Sequence, residues 1–158
     1  MTRETTRQTR EIVVVGVDAS PQSRAALQWA ASYARRTGAA LHAVSVHPHQ
    51  TPTMPFAFGI AGAPLVDQEP WRQEERSAVA ELYYAARPEP HWRLTQLDGQ
   101  PGQELVRLSR GAQLLVVGTR EHVGVDRFLE GSVSRYCLHH ADIPVVAVPL
   151  VDDRVAVH

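Results

Sequence analysis

A run of β-branched apolar side chains near the start of the chain, residues 12–17, constrains the fold more than any other feature. Such a continuous run is typical of a strand in a parallel sheet, where both faces of the strand are buried. Ser20 and Pro21 follow it and suit the N-cap and first position of a helix, and Gly38 suits the end of that helix. With a second apolar run at residues 41–46, the segment predicts a right-handed βαβ unit.

The rest of the chain continues this alternation of strands and helices. Helical patterns cover residues 71–86, 100–110 and 132–140, and strand patterns cover residues 91–97, 114–117 and 143–149. In the second helix, we expect Ala78, Leu82 and Ala85 to face inward. Alternating strands and helices predict an α/β fold, with an open five-stranded parallel sheet covered by helices on both faces.

The 158 residues suit a single domain, which we expect to span residues 11–150. Residues 1–10 are predicted to be a disordered N-terminal tail, and residues 151–158 a C-terminal tail. Residues 48–70 hold five of the eleven prolines of the chain, so they are predicted to form a long loop. Loops of this length are usually functional lids or disordered segments.

Charge and composition narrow the possible partners and the compartment. The formal net charge of −1 provides no overall basic field, so neither nucleic acid nor a membrane is expected as a partner. The first ten residues lack the apolar core of a signal peptide, and no apolar run is long enough to span a bilayer, which predicts a cytoplasmic protein. The single cysteine, Cys137, cannot form an internal disulfide. We interpret it as a small apolar helix residue, with a redox-sensing thiol as the alternative.

Two strand ends supply candidate binding residues, because ligands of open parallel sheets bind at the carboxyl ends of the strands. Val17 and Asp18 follow the first strand. The Asp18 carboxylate could accept hydrogen bonds from a base or a ribose, or bind a cation. It could also satisfy backbone donors at the start of the next helix, and the two roles are compatible. Val46 ends the second strand, where its backbone groups could meet the edge of an adenine.

The loop of residues 118–132 is the most informative candidate, and its chemistry suits an anion. A buried strand leads into it at Gly118, and Gly131 and Ser132 open the following helix. Glycines let the backbone approach a phosphate, helix N-terminal amides attract negative charge, and Ser132 and Ser134 add hydroxyl groups. The spacing is neither that of a Walker A loop nor that of a dinucleotide fingerprint. On the residues alone, a simple turn and helix cap is the alternative.

No arrangement of residues in the sequence predicts an enzyme. The chain offers no convincing Ser/His/Asp or Cys/His set, and its eight histidines are scattered. His139 and His140 are adjacent on a predicted helix, so they do not face one another and are not expected to share a metal ion. We therefore expect no catalytic residues and no protein metal site.

Four segments, taken in order, resemble the universal stress protein family. They are residues 12–20, 114–120, 131–134 and 143–148, and the resemblance covers nearly all of the chain, from Ile12 to Val148. It implies a Rossmann-like sheet of the adenine nucleotide alpha hydrolase-like type. It also implies that the protein binds an adenine nucleotide, ATP with Mg²⁺ as an accompanying ion, as a regulatory ligand in a stress response.

The resemblance also implies roles for individual residues. Asp18 would lie near the adenosine, and Val46 would contact the base through its backbone. The ribose and phosphates would lie against Gly118, Gly131, Ser132, Val133 and Ser134. Val17, Arg120 and Gly124 complete the predicted binding set. Arg120 could offset the negative charge of Glu121 in the same loop, and Gly124 could be a flexible point of that loop.

One position departs from the pattern of the ATP-binding members, which is a glycine, two residues, a second glycine, nine residues, then glycine and Ser or Thr. Gly118, Gly131 and Ser132 keep this spacing, but Glu121 replaces the second glycine. A left-handed backbone there would cost a non-glycine residue about 1–2 kcal/mol. A carboxylate about 4 Å from a phosphate charge would cost roughly 4 kcal/mol. The alternative function is a nucleotide-free, dimeric protein-interaction module in which Glu121 blocks the phosphate site.

A homodimer is predicted through the final strand, between Val145 and Val148. A short apolar strand at the edge of a sheet invites pairing with another chain. The family resemblance implies that two such strands pair antiparallel across a two-fold axis. The alternative is that this segment is an ordinary core strand.

Overall fold

The computed structural model describes residues 10–49, 69–119 and 132–150. The predictions for the N-terminal tail, for most of the proline-rich loop and for the C-terminal tail therefore lie outside the described residues. So do the predictions for four residues of the glycine loop, Arg120, Glu121, Gly124 and Gly131.

The described residues form five strands and four helices in alternation. The strands are β1 Ile12–Gly16, β2 Ala40–His47, β3 Arg93–Asp98, β4 Leu114–Thr119 and β5 Val145–Pro149. The helices are α1 Pro21–Thr37, α2 Glu69–Ala85, α3 Pro101–Ser109 and α4 Ser132–His140. The strands form one sheet in the order β3-β2-β1-β4-β5, and every neighbouring pair is parallel. The predicted α/β fold with a five-stranded parallel sheet is confirmed.

Apolar cores lie on both faces of the sheet. On one face, Val13 and Val15 of β1 pack with residues of α1 and α2, including Leu27 and Val79. On the other face, Val14 packs with residues of α3 and α4, including Leu105 and Cys137. Alternate residues of β1 thus face opposite cores, which explains why the strand has no polar side. The expectation of helices on both faces is confirmed.

Helix α1 begins and ends where its sequence signals predict. The Ser20 hydroxyl accepts a hydrogen bond of 3.2 Å from the Ser23 amide, and Pro21 occupies the first turn. Gly38 closes the helix at a φ of 74°, in the left-handed region that favours glycine.

Helix α2 differs from its prediction in two respects. It begins at Glu69 rather than at residue 71, with Pro70 in the first turn, where no backbone donor is needed. Its buried residues are Val79, Leu82 and Tyr83, whereas Ala85 is exposed. The prediction of Ala85 as inward-facing is wrong. Val79 and Tyr83 have larger apolar side chains than Ala85, so the helix presents the face that carries them to the sheet.

Two strands begin later than predicted. β3 starts at Arg93, because the Trp92 amide is still engaged in a turn and donates to the Glu89 carbonyl. β5 starts at Val145, after Pro144.

Within the described ranges, no helix is both long and apolar enough to cross a membrane.

Cys137 lies on α4 with no exposed surface. Burial raises the pKa of its thiol to about 11, so the reactive thiolate is disfavoured at neutral pH. The interpretation of Cys137 as a small apolar core residue is confirmed, and the redox-sensing alternative is not supported.

Candidate functional site

A cleft of about 750 Å³ opens between described residues at the carboxyl ends of the strands. It lies beside β1, where the order of the strands reverses. From β1 the chain first adds β2 and β3 on one side of the sheet, and then adds β4 and β5 on the other side. In open α/β sheets this switch point is where ligands bind. Seven of the predicted binding residues line the cleft: Val17, Asp18, Val46, Gly118, Ser132, Val133 and Ser134. The structure thus brings together residues that are up to 117 positions apart in the sequence.

Asp18 is tied to the start of α1. Its Oδ1 accepts from the Ser20 amide at 2.8 Å and from the Ser23 hydroxyl at 2.7 Å, and its own amide donates to the Ser23 hydroxyl at 2.8 Å. Asp18 therefore has the structural role that the sequence predicts, which is to accept hydrogen bonds from donors at the start of the helix. Asp18 is also exposed and lines the cleft. Its carboxylate is therefore within reach of a ligand in the cleft.

Val46 lies where the ladder between β1 and β2 has ended. The ladder extends one residue past β1, where the Val17 amide donates to the Val44 carbonyl at 2.9 Å. Backbone groups alternate in direction along a strand, so those of Val46 point to the same side as those of Val44. By then β1 has turned away into α1, and Val46 lines the cleft. Its amide and carbonyl therefore lie where a planar base edge could meet them.

Gly118 lies at the end of β4, against the first turn of α1. A Cβ atom there would lie 2.6 Å from the Gln22 carbonyl oxygen and 2.7 Å from its carbon. Only glycine allows the helix to come so close to the strand. The sequence analysis predicts that this glycine lets the backbone approach a phosphate. The structure shows that packing against α1 also requires a glycine here.

Helix α4 presents its first turn to the cleft through Ser132, Val133 and Ser134. Ser132 is exposed, and Ser134 is buried. The first amides of any helix lack partners within the helix, and the helix dipole places a partial positive charge there. This end of the cleft therefore suits an anionic group.

The cleft also contains residues that the sequence analysis missed. Helix α3 contributes the segment that begins at Gln100 and Pro101, and α2 contributes Glu75. Gln100 is the N-cap of α3 but makes no side-chain capping bond. The proline at the first helical position was a usable signal, since Pro21 marks α1 in the same way. Glu75 carried no such signal, because only the tertiary fold brings α2 to the strand ends.

The charged groups of the cleft are unevenly distributed. Two carboxylates line it, those of Asp18 and Glu75, whereas no lysine or arginine of the described ranges does. Glu75 Oε2 lies 3.4 Å from Nδ1 of His47, a buried residue at the end of β2. Within the described residues, no group of three or more His, Cys, Asp or Glu side chains could hold a metal ion.

Comparisons with known proteins identify one family. A family model described as "Universal stress protein family" matches residues 9–149. A universal stress protein of Mycobacterium tuberculosis is 33% identical over 138 residues, which cover 85% of this chain and 44% of that protein. A universal stress protein of Arabidopsis thaliana is 33% identical over 169 residues, which cover 92% of this chain and 64% of that protein. The chain thus spans less than half of the mycobacterial relative.

A solved structure supports the same relationship. The crystal structure of a universal stress protein in complex with cAMP matches with a TM-score of 0.56 and 25% identity, covering 87% of this chain and 95% of that one. The family match spans the whole sheet and all four helices, and the cleft lies where the sequence resemblance implies it. On this evidence the chain belongs to the universal stress protein family.

Proposed function

We propose that this universal stress protein binds an adenine nucleotide, ATP, in the cleft at the carboxyl ends of its strands, as a regulatory ligand in a stress response. The observation that carries the proposal is the convergence of Asp18, Val46 and the first turn of α4 on one cleft. A nucleotide needs a hydrogen-bonding edge for the base and an anion-binding end for the phosphates, and these residues supply both.

The related structure in complex with cAMP supports an adenine nucleotide as the class of ligand. In this chain, the backbone of Val46 would meet the base and the Asp18 carboxylate a ribose hydroxyl. The phosphates would lie at the N-terminus of α4, beside Ser132 and Val133. Arg120, Gly124 and Gly131 would complete the phosphate site.

Mg²⁺ would accompany the phosphates rather than occupy a site made of protein ligands. This ion is usually held by one or two carboxylates together with phosphate oxygens and water. Asp18 is a carboxylate of the cleft that could supply one such ligand. We propose that ATP acts here as a regulatory ligand, not as the substrate of an efficient reaction.

The experiment that tests the proposal is a calorimetric titration of ATP into the natural protein and into Glu121→Gly. We expect the natural protein to bind ATP with micromolar affinity, about 8 kcal/mol of binding free energy. The variant should bind at least as tightly, because the substitution removes a negative charge near the phosphates.

Two other outcomes separate the competing functions. If only Glu121→Gly binds ATP, then Glu121 blocks the site and the nucleotide-free interaction module is the correct function. If neither protein shows heat of binding or a thermal shift with ATP, the proposed nucleotide function is wrong.

A further inference from the structure

Glu75 is a charged residue of the cleft that neither the sequence pattern nor the predicted binding set includes. It lies on α2 and lines the same cleft as Val46 and Asp18. Its side chain is 48% exposed, so it is accessible to a ligand while remaining in contact with the protein.

A buried histidine lies beside the Glu75 carboxylate. Nδ1 of His47 lies 3.4 Å from Glu75 Oε2, and the His47 side chain is only 5% exposed. Nε2 of the same ring contacts Gln96 Oε1 at 3.1 Å. Gln96 in turn donates from its amide nitrogen to the Arg76 carbonyl at 3.0 Å. Because Gln96 donates from its amide nitrogen, its Oε1 accepts from Nε2 of His47, so Nδ1 can donate to Glu75 only in the charged ring. The chain of contacts runs from α2 through the end of β2 to β3 and back to α2, and it fixes the orientation of the ring.

The position of Glu75 gives the cleft two chemically different walls. Helix α2 covers the face of the sheet that α1 also covers, whereas α4 lies on the opposite face. The wall formed by α4 presents helix N-terminal amides, which suit anions. The wall that contains Glu75 presents a carboxylate, which repels phosphate and accepts hydrogen bonds from N–H and O–H groups.

We propose that Glu75 determines the specificity of the nucleotide cleft, by accepting a hydrogen bond from an N–H or O–H group on the nucleoside half of the ligand. His47 is the positioning residue, because its ring, when it carries a proton on both nitrogens, pairs with the carboxylate beside the cleft. The inference rests on the proposed nucleotide function and extends it. It assigns the nucleoside to the α2 wall and the phosphates to the α4 wall. The donor is either the exocyclic amine of adenine or a ribose hydroxyl.

Calorimetry with four nucleotides tests the proposal in the full chain. ATP is compared with inosine triphosphate, which lacks the exocyclic amine, and with 2′-deoxy-ATP and 3′-deoxy-ATP, which each lack one hydroxyl. We expect the natural protein to bind one of these three analogues at least about tenfold more weakly than ATP, since hydrogen bonds to charged groups are among the stronger ones. The analogue that loses affinity identifies the donor.

Variants then assign that discrimination to Glu75. In Glu75→Ala, ATP should bind about tenfold more weakly, and the analogue should bind as well as ATP to within about twofold. The matched control is Glu74→Ala, on the same helix and exposed but not lining the cleft, which should keep the natural pattern. His47→Gln should reduce the ratio between ATP and the analogue. A merely structural role of His47 would weaken both ligands equally and leave the ratio unchanged.

The results that would overturn the inference are distinct from failure of the proposed function. If the natural protein binds ATP and Glu75→Ala keeps both the affinity and the discrimination, this inference alone is wrong. If the natural protein binds no nucleotide in the series, the inference and the proposed function fail together.

Discussion

Among single residues, Gly118 combines a packing role with a place in the lining of the cleft. It lines the cleft, and it also allows the first turn of α1 to approach the end of β4. Its φ lies outside the left-handed region, so close approach rather than backbone freedom explains its identity. The fold alone therefore explains a glycine at position 118, even though Glu121 makes the glycine pattern of the loop incomplete.

Replacing this glycine is expected to destabilise the domain. In Gly118→Ala, the added methyl group would collide with the backbone of Gln22, which cannot move without shifting α1. Overpacking of this kind typically costs about 1–3 kcal/mol, which would lower the Tm of a domain of this size by roughly 3–10 °C. The control is Gly111→Asn, where a Cβ meets nothing within 4 Å and asparagine tolerates the φ of 77°. An unchanged Tm in Gly118→Ala would contradict this packing.

His42 is a buried titratable residue within the sheet. Its Nε2 contacts the Thr95 hydroxyl at 2.8 Å, and its Nδ1 accepts from the Arg93 guanidinium at 3.2 Å. Because Nδ1 faces a donor that is always charged, the neutral ring carries its proton on Nε2. Burial, and then the Arg93 charge, lower the pKa of His42 from 6.5 to about 4.

This shift predicts that the protein loses stability as the pH falls from 6.5 towards 4. In that window the unfolded chain binds a proton at His42 and the folded protein does not, whereas above pH 6.5 both are neutral. The expected loss between pH 7.5 and pH 5 is about 2 kcal/mol from this residue. Urea unfolding at the two pH values measures it. In His42→Gln the loss should be smaller by that amount, whereas the exposed control His139→Gln should match the natural protein. Equal losses in His42→Gln and the natural protein would refute the assignment.

Among the elements, α1 was the easiest to predict and α2 the hardest. The limits of α1 depend on local signals, the Ser20 cap, Pro21 and Gly38, which act within a few residues. The buried face of α2 depends instead on which side chains reach the sheet, and that is decided by tertiary packing. The sequence pattern therefore identified α2 as a helix but wrongly placed Ala85 on its buried face.

The same distinction explains how much of the site was predictable. Val17, Asp18, Val46 and the start of α4 follow strands or open helices, and residues of this kind gather at one edge of a parallel sheet. Glu75 lies in the middle of a helix, and its place in the cleft depends on packing between α2 and β2. No local pattern carries that information.

At the edge of the sheet, β5 makes an interface possible. Among the described elements it pairs only with β4. The Leu115 amide donates to the Pro144 carbonyl at 3.0 Å, so the backbone groups of alternate residues from 144 onward face β4. Those of Val145 and Ala147 therefore point away from the sheet, where a second copy of the chain could pair with them.

We predict that the protein is a dimer at micromolar concentration, with a mass twice that of the 17.5 kDa chain. Ala147→Pro should shift it to the monomer, because proline removes an outward-facing donor without removing a bond to β4. Light scattering after size-exclusion chromatography measures both masses, and an unchanged circular dichroism spectrum would show that the variant is folded. A monomeric mass for the natural protein would count against pairing through β5.

For the whole molecule, the layered α/β fold explains why one cleft gathers residues from distant parts of the sequence. Strand ends of β1, β2 and β4 form its base, and α1, α2, α3 and α4 all contribute residues to its walls. One wall presents the amides of a helix N-terminus and another carries a carboxylate, so a nucleotide bound there would have a defined direction. The match to the universal stress protein family model spans all of these elements.

The central claim is that a nucleotide places its phosphates at the start of α4. The most direct measurement is the ATP titration described above, extended to Ser132→Glu. The new carboxylate suits the helix dipole, so the fold should be kept, but it would repel phosphate. The matched control is Ser77→Glu, exposed on α2 and outside the cleft. We expect the natural protein and Ser77→Glu to bind ATP alike, and Ser132→Glu to bind it at least about tenfold more weakly. Equal ATP affinity in Ser132→Glu and the natural protein would contradict it.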